Sequence, residues 1–146
     1  MNDPLREADL WLTEAEMDLE VARTLSDRYA ARACFHAQQA AEKALKAILY
    51  AAGERPVLGH SLSALGEEVA ERDASYETIK GEVAKLDRFY IPTRYPNGLP
   101  QGGLPSKSFD AADAESAIAT AEAALHHARA FVEAKLVEDP DAGPAE

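Results

Sequence analysis

From Leu5 to Ala22 the apolar residues Leu5, Ala8, Leu12, Ala15, Leu19 and Ala22 fall at alternating steps of three and four. Only a helix gathers such positions onto one face. Comparable spacing returns in Cys34, Ala37, Ala41, Ala44, Leu45, Ile48 and Leu49. It returns again in Tyr76, Ile79, Val83, Leu86 and Tyr90, and in Ala114, Ile118, Ala121, Leu125, Ala128 and Val132. A briefer set, Leu62, Leu65 and Val69, marks a short helix. No segment alternates apolar and polar residues as a half-buried strand does. The hydrophobic content is 47% but the aromatic content only 7%, so most apolar residues are Ala and Leu, both strong helix formers. These patterns predict an all-α chain: an antiparallel up-down helical bundle of four long helices plus one short helix.

Punctuation residues place the ends. Pro4 suits the first turn of the first helix, after Asp3. Ser26 or Asp27 is the expected cap of the second helix, and Gly53 falls just past its end. Ser61 is expected to cap the short helix, and Asp73 or Ser75 the next. Pro92 stops that helix, which Gly81 already weakens. Ser108 or Asp110 opens the last helix, with Asp113 in its first turn. The helical bundle is expected over residues 1–137. Residues 138–146, rich in Asp, Pro, Gly and Ala, are expected to be a disordered acidic tail.

Composition excludes several classes of function. With 26 acidic and 15 basic residues the formal net charge is −11, which repels phosphate backbones at long range. A local basic cluster can still override that average. The single Cys34 cannot pair within the chain, the N-terminus lacks signal-peptide character, and no apolar run is long enough to span a membrane. These features point to the cytoplasm. The four histidines, His36, His60, His126 and His127, show no metal-ligand spacing with Cys34. Neither a metal nor a cofactor is expected.

Two regions concentrate polar chemistry. The second helix carries Gln39, Lys43 and Lys46 on one side; spacing alone reads this as a solvated face. Glu42 and Lys46 form a favourable i,i+4 pair. The stretch from Ile91 to Ser106 is broken by Pro and Gly, too long for a simple connection and therefore a place to look for function. It contains Arg94-Tyr95-Pro96, flanked by Arg88, Tyr90 and Lys107. Arg offers a fork to phosphate, and Tyr a stacking ring with a polar tip. His60, at a helix start, reads more readily as a structural than as a catalytic histidine.

Taken together, Cys34-Phe35-His36-Ala37-Gln38-Gln39-Ala40-Ala41-Glu42-Lys43-Ala44-Leu45-Lys46, Gly59-His60-Ser61-Leu62, Leu86-Asp87, Tyr90 and Arg94-Tyr95-Pro96-Asn97 resemble the HEPN family (higher eukaryotes and prokaryotes nucleotide-binding). The resemblance extends over about residues 5 to 135. It implies a helical bundle that often dimerises, and in many members a minimal nucleotidyltransferase partner in a two-gene, toxin–antitoxin-like module. Some members are metal-independent ribonucleases that use Arg followed four to six residues later by His. Here no His follows Arg94 at that spacing. Arg55 and His60 do fit it, but in the wrong connection.

The resemblance therefore implies a binding subunit, with a nucleotide held by Arg94, Lys43 and Lys46, stacking by Tyr95 or Tyr90, and Gln39 and His60 alongside. Tyr95 is the candidate for modification by a partner. The alternatives are a divergent ribonuclease acting on RNA through Arg94 and His60, and a structural homodimer without ligand.

Overall fold

The computed structural model describes residues 3–99 and 103–138, and every regular element among them is helical. Three helices are long: α1 (Asp3–Leu25), α2 (Ala30–Ala51) and α6 (Ala111–Glu138). Between α2 and α6 lie α3 (Leu62–Arg72), α4 (Glu77–Ala84) and the single-turn α5 (Pro105–Ser108). The fourth long helix expected from the sequence is a composite. A 3-10 turn, Ala74–Tyr76, leads into α4, which tightens into a second 3-10 segment, Lys85–Phe89. The expected acidic tail, apart from Glu138 at the end of α6, lies outside the described residues.

Helix α2 is the centre of the molecule, packed against α1, α6 and α3. Its many alanines allow close approach on several sides, so burial extends well beyond the apolar stripe, to Ala33, Gln38, Ala40, Glu42, Lys46 and Ala47. The stripes of α1 and α6 are buried against it as their spacing requires.

Most caps follow the sequence. Ser61 Oγ accepts from Ala64 N at 3.1 Å, and Asp73 Oδ1 accepts from Ser75 N at 3.1 Å. Asp110 and Asp113 exchange two 2.9 Å bonds between each backbone N–H and the other's carboxylate, a reciprocal capping box. The start of α2 differs. Ser26 Oγ donates back to the Arg23 carbonyl at 3.0 Å, and the helix begins after Tyr29 without a side-chain cap. The end of α2 is as expected, with Gly53 in the left-handed region at φ +95°.

The connection after Phe89 is also less irregular than its Pro and Gly content suggests. It holds a 3-10 turn, Pro96–Gly98, besides α5. The loop doubles back so tightly that a Cβ on Gly98 would lie 2.8 Å from Ile91 Cγ2.

Candidate functional site

Arg94 is positioned by the turn that Pro92 imposes. Its backbone N–H and that of Tyr95 both donate to the Ile91 carbonyl, at 3.0 and 3.2 Å. The preceding Thr93 is fully buried, its hydroxyl donating to the Phe89 carbonyl. Arg32 of α2 donates to the Thr93 carbonyl at 2.7 Å and so ties the loop to the bundle. Arg94 folds back over the surface. Its Nε donates to the Tyr90 carbonyl at 3.0 Å. Its guanidinium carbon lies 4.4 Å from the centre of the Phe35 ring and 4.9 Å from those of Tyr90 and Tyr95. Three rings therefore hold the cation, each contact contributing roughly 0.5–1 kcal/mol where water still reaches it. Both terminal NH2 groups remain without a protein acceptor among the described residues, a fork free for an oxyanion.

His60 reaches the same aromatic wall. Its ring stacks on Tyr90 with centroids 5.3 Å apart and planes 16° from parallel. The fold thus brings Arg94 and His60 onto one tyrosine, although they are separated by two helices in sequence. Asp87 sets this arrangement. Its carboxylate accepts from Leu62 N at 2.6 Å, Ser63 N at 3.1 Å and Ser61 Oγ at 3.2 Å, fixing the start of α3 beside His60.

Beneath His60 lies a buried polar chain. Glu42 Oε2 accepts from His60 Nδ1 and Lys46 Nζ, each at 3.1 Å. Gln38 Nε2 approaches Glu42 Oε1 at 3.4 Å, while Gln39 donates to Gln38 at 2.7 Å. Lys46 also lies 5.4 Å from the Trp11 ring, which stacks on Tyr50. Glu42 is 4% and Lys46 5% exposed, so this part of α2 is interior rather than a solvated face. The cause is packing: α2 meets α1, α3 and the 3-10 segment after α4 as well as α6, with Trp11 over Lys46 and His60 on Glu42.

The remaining sequence candidate, Lys43, is bonded to Asp18 at 2.6 Å, and His36 contacts the same carboxylate at 2.9 Å. Burial would raise the pKa of Asp18, but the hydrogen bonds and charges of His36 and Lys43 outweigh it and hold the carboxyl below its ordinary range. The carboxylates that meet Lys43 and Lys46 thus come from their own chain. Burial, with Asp113 adding to it, pushes the Cys34 thiol up to about 12 and keeps it neutral. No His, Cys, Asp and Glu side chains cluster as a metal-binding group among the described residues.

Sequence reasoning gave no functional role to Phe35, Arg32 or Thr93 and saw only part of the role of Glu42. It named Arg88 and Lys107 only as neighbours of Arg94. Neither of these, nor Arg28, Arg32 or Arg94, has a carboxylate partner among the described residues. Arg28 and Arg88 instead lie over the rings of Tyr29 and Phe89, at 5.8 and 4.6 Å. A cleft of about 270 Å³ between Tyr29, Ala31, Arg32 and Ser106 opens beside this group. Among the described residues, five such cations therefore lie at the start of α2 and around the Arg94 loop, with Asp110 and Asp113 as nearby counter-charges at Cys34, while Arg55, also without a carboxylate partner, lies apart between α2 and α3.

The sequence model of the HEPN domain matches residues 8–134. A solved structure of TT1696 from Thermus thermophilus shares 38% identity, covers 89% of this chain and 98% of its own, and superposes with a TM-score of 0.76. ST0689, an archaeal HEPN homologue, shares 33% identity over 86% and 98%, with a TM-score of 0.71. No curated protein matches. The chain belongs to the HEPN family.

Proposed function

We propose that this HEPN-family chain is a binding subunit that holds the phosphate of a nucleotide at Arg94. The observation that carries this reading is a guanidinium fixed by three aromatic rings, with both NH2 groups unspent. Such a fork is preorganised for a bidentate oxyanion contact. Tyr95, half-exposed, offers a face to a base. The surrounding cations favour an anion locally, while the charge of −11 disfavours indiscriminate binding of long nucleic acids.

The same reading extends to a homodimer paired with a minimal nucleotidyltransferase in a toxin–antitoxin-like module. The Tyr95 hydroxyl, without a hydrogen-bond partner among the described residues, is then the group offered for modification. Calorimetric titration of wild type and Arg94→Ala with ATP, AMP and inorganic phosphate tests the binding. Wild type is expected to bind and the variant to lose at least tenfold in affinity. A wild type that forms a stable dimer by light scattering but binds none of the three supports the ligand-free structural homodimer instead. Co-purification with the neighbouring gene product tests the pairing.

A second reading, a metal-independent ribonuclease, is favoured by one observation: His60, a proton carrier, shares the Tyr90 ring with Arg94. RNA breakdown in the presence of EDTA, abolished by either His60→Ala or Arg94→Ala, would establish it. Intact RNA at high protein concentration refutes it.

A further inference from the structure

Helix α1 carries a second pattern on the side opposite its buried stripe. Leu10, Glu14, Met17, Val21 and Thr24 follow one another at steps of four, three, four and three. That spacing lines one face of a helix, and it is the spacing of a coiled-coil seam, where each side chain enters a gap on a facing helix. None of the five is buried, and Leu10 and Met17 are 58% and 55% exposed. The other exposed large apolar side chains among the described residues stand in connections or at helix ends. Thr24 returns its hydroxyl to the Glu20 carbonyl at 3.0 Å, so its polar end is spent within α1.

The charges around this seam are mostly of one sign. Glu14 lies within it, Glu7 on one flank, and Asp9 and Glu20 on the other. Among the described residues the carboxylates of Asp9, Glu14 and Glu20 have no donor, and Glu7 accepts from the Trp11 indole alone, at 3.1 Å. The bases nearby are Arg6, at the N-terminal end of α1, and Lys43, which Asp18 holds at 2.6 Å. Several acids elsewhere meet bases of the chain itself: Glu122 with Arg23, Glu54 with Arg72, and Glu67 with Lys80. A cleft of about 360 Å³ opens beside the seam between Glu7, Leu10, Trp11, Glu14 and Lys43. It joins an apolar floor to two carboxylates, the surroundings that suit the methylenes and the charged head of a long basic side chain.

We propose that the outward face of α1 is a docking seam for a basic amphipathic helix of another protein. Apolar side chains of that helix pack on Leu10, Met17 and Val21, and a Lys or Arg meets Glu14 within the seam, its stem in the cleft beside Trp11. Charge selects the occupant. A charged residue at one seam position penalises every partner that lacks its complement, and so sets partner choice. A second copy of this chain brings the same acidic flanks, and like charges then meet across the contact. A helix rich in Lys and Arg satisfies what α1 leaves unpaired. No residue of the Arg94 site takes part, so the docking does not depend on the nucleotide reading.

Two synthetic three-heptad helices serve as probes of the full chain at physiological ionic strength. Both carry Leu along the seam and Lys on the flanks, and they differ only at a central seam position, Lys in one and Glu in the other. Fluorescence anisotropy measures affinity, and amide shifts of the 15N-labelled chain locate the contact. Wild type is expected to bind the Lys-seam helix at least about tenfold more tightly than the Glu-seam helix, with shifts confined to α1 and the adjoining edge of α2. Glu14→Lys should reverse that preference, and Leu10→Gln/Met17→Gln should abolish binding of both. Glu68→Lys, the same charge change on α3, should leave it intact. All four positions are exposed, so the fold is not at stake. Equal affinity of wild type for the two helices overturns the proposal, as does absence of binding. Equal weakening by Glu68→Lys, or shifts spread over α3 and α6, also overturns it, because the attraction is then net charge alone. So does a wild-type dimer in light scattering that Leu10→Gln/Met17→Gln turns into a monomer, because a second copy then covers the face.

Discussion

Replacing Lys46 with Met deletes the charge that balances Glu42 in the core. The cost follows from what remains. Glu42, 4% exposed, would keep Gln38 and the Nδ1–H of His60 as donors. The loss should fall near the low end for a broken buried pair, about 3 kcal/mol. Replacing Glu42 with Leu is worse, because among the described residues Lys46 would keep only the Trp11 ring, 5.4 Å away. That contact supplies about 2 kcal/mol when desolvated, less than the lost ion pair, and the cost should approach 5 kcal/mol. Removing both charges together should return stability to within about 1 kcal/mol of wild type. Urea unfolding followed by circular dichroism measures all four proteins. With a slope of roughly 2 kcal/mol per molar, Lys46→Met should lower the midpoint by about 1.5 M, with the double variant restored. The two single costs should fail to add by more than about 3 kcal/mol. If each single variant costs less than about 1 kcal/mol and the costs add, the pair is solvated. Glu42 then does not fix His60 from the core.

Three further outcomes follow from the same packing. Asp18, lowered below the ordinary carboxyl range by His36 and Lys43, contributes stability that is present above about pH 4 and lost as the pH falls through its folded value. The stability gap between wild type and Asp18→Asn should therefore close as the pH falls below about 4 in denaturant titrations, and a gap that stays constant with pH would contradict it. Cys34, buried and pushed up to about 12, should react with a thiol reagent at pH 8 only as fast as the protein unfolds, and rapid labelling of the native state would refute its burial. Asp87→Ala should cost about 1–2 kcal/mol by removing the acceptor of two backbone N–H groups at the start of α3. It should also loosen the His60 bond to Glu42, seen as mixed histidine tautomers in 15N spectra.

The helices were legible because periodicity is a local property. Each long stripe identified its own buried face, and Ser61, Asp73 and Asp110 marked helix starts by chemistry that acts within three residues. The site was legible only in parts. Arg94 stood out through the Pro-rich turn around it, but nothing local says that Phe35, one turn into α2, lies beneath its guanidinium. Nor does a favourable i,i+4 spacing say whether Glu42 and Lys46 meet in water or in the core. That depends on what covers α2: His60 over Glu42 and Trp11 of α1 over Lys46. A cue was present. A helix with alanine on nearly every side has no face bulky enough to end the packing, so polar residues among those alanines are candidates for burial.

The burial of Lys46 and the pairing of Lys43 change which cations are available to a ligand. Both could be counted as phosphate-binding from the sequence, yet each already meets a carboxylate of its own chain. Recruiting Lys43 would mean giving up a 2.6 Å contact with Asp18, and recruiting Lys46 would mean opening the core. Arg94 needs neither change. Its rings hold the positive charge without neutralising it, and its one backbone bond uses Nε, leaving the fork without an acceptor among the described residues. In a chain with a net charge of −11, leaving such a group unpaired is the less expected arrangement. Preorganisation also lowers the entropy lost on binding, because the guanidinium does not have to be gathered from solution. The weight of the functional reading therefore moves from the lysines of α2 to the arginine of the loop. The polar face of α2 becomes the support from which His60 is held.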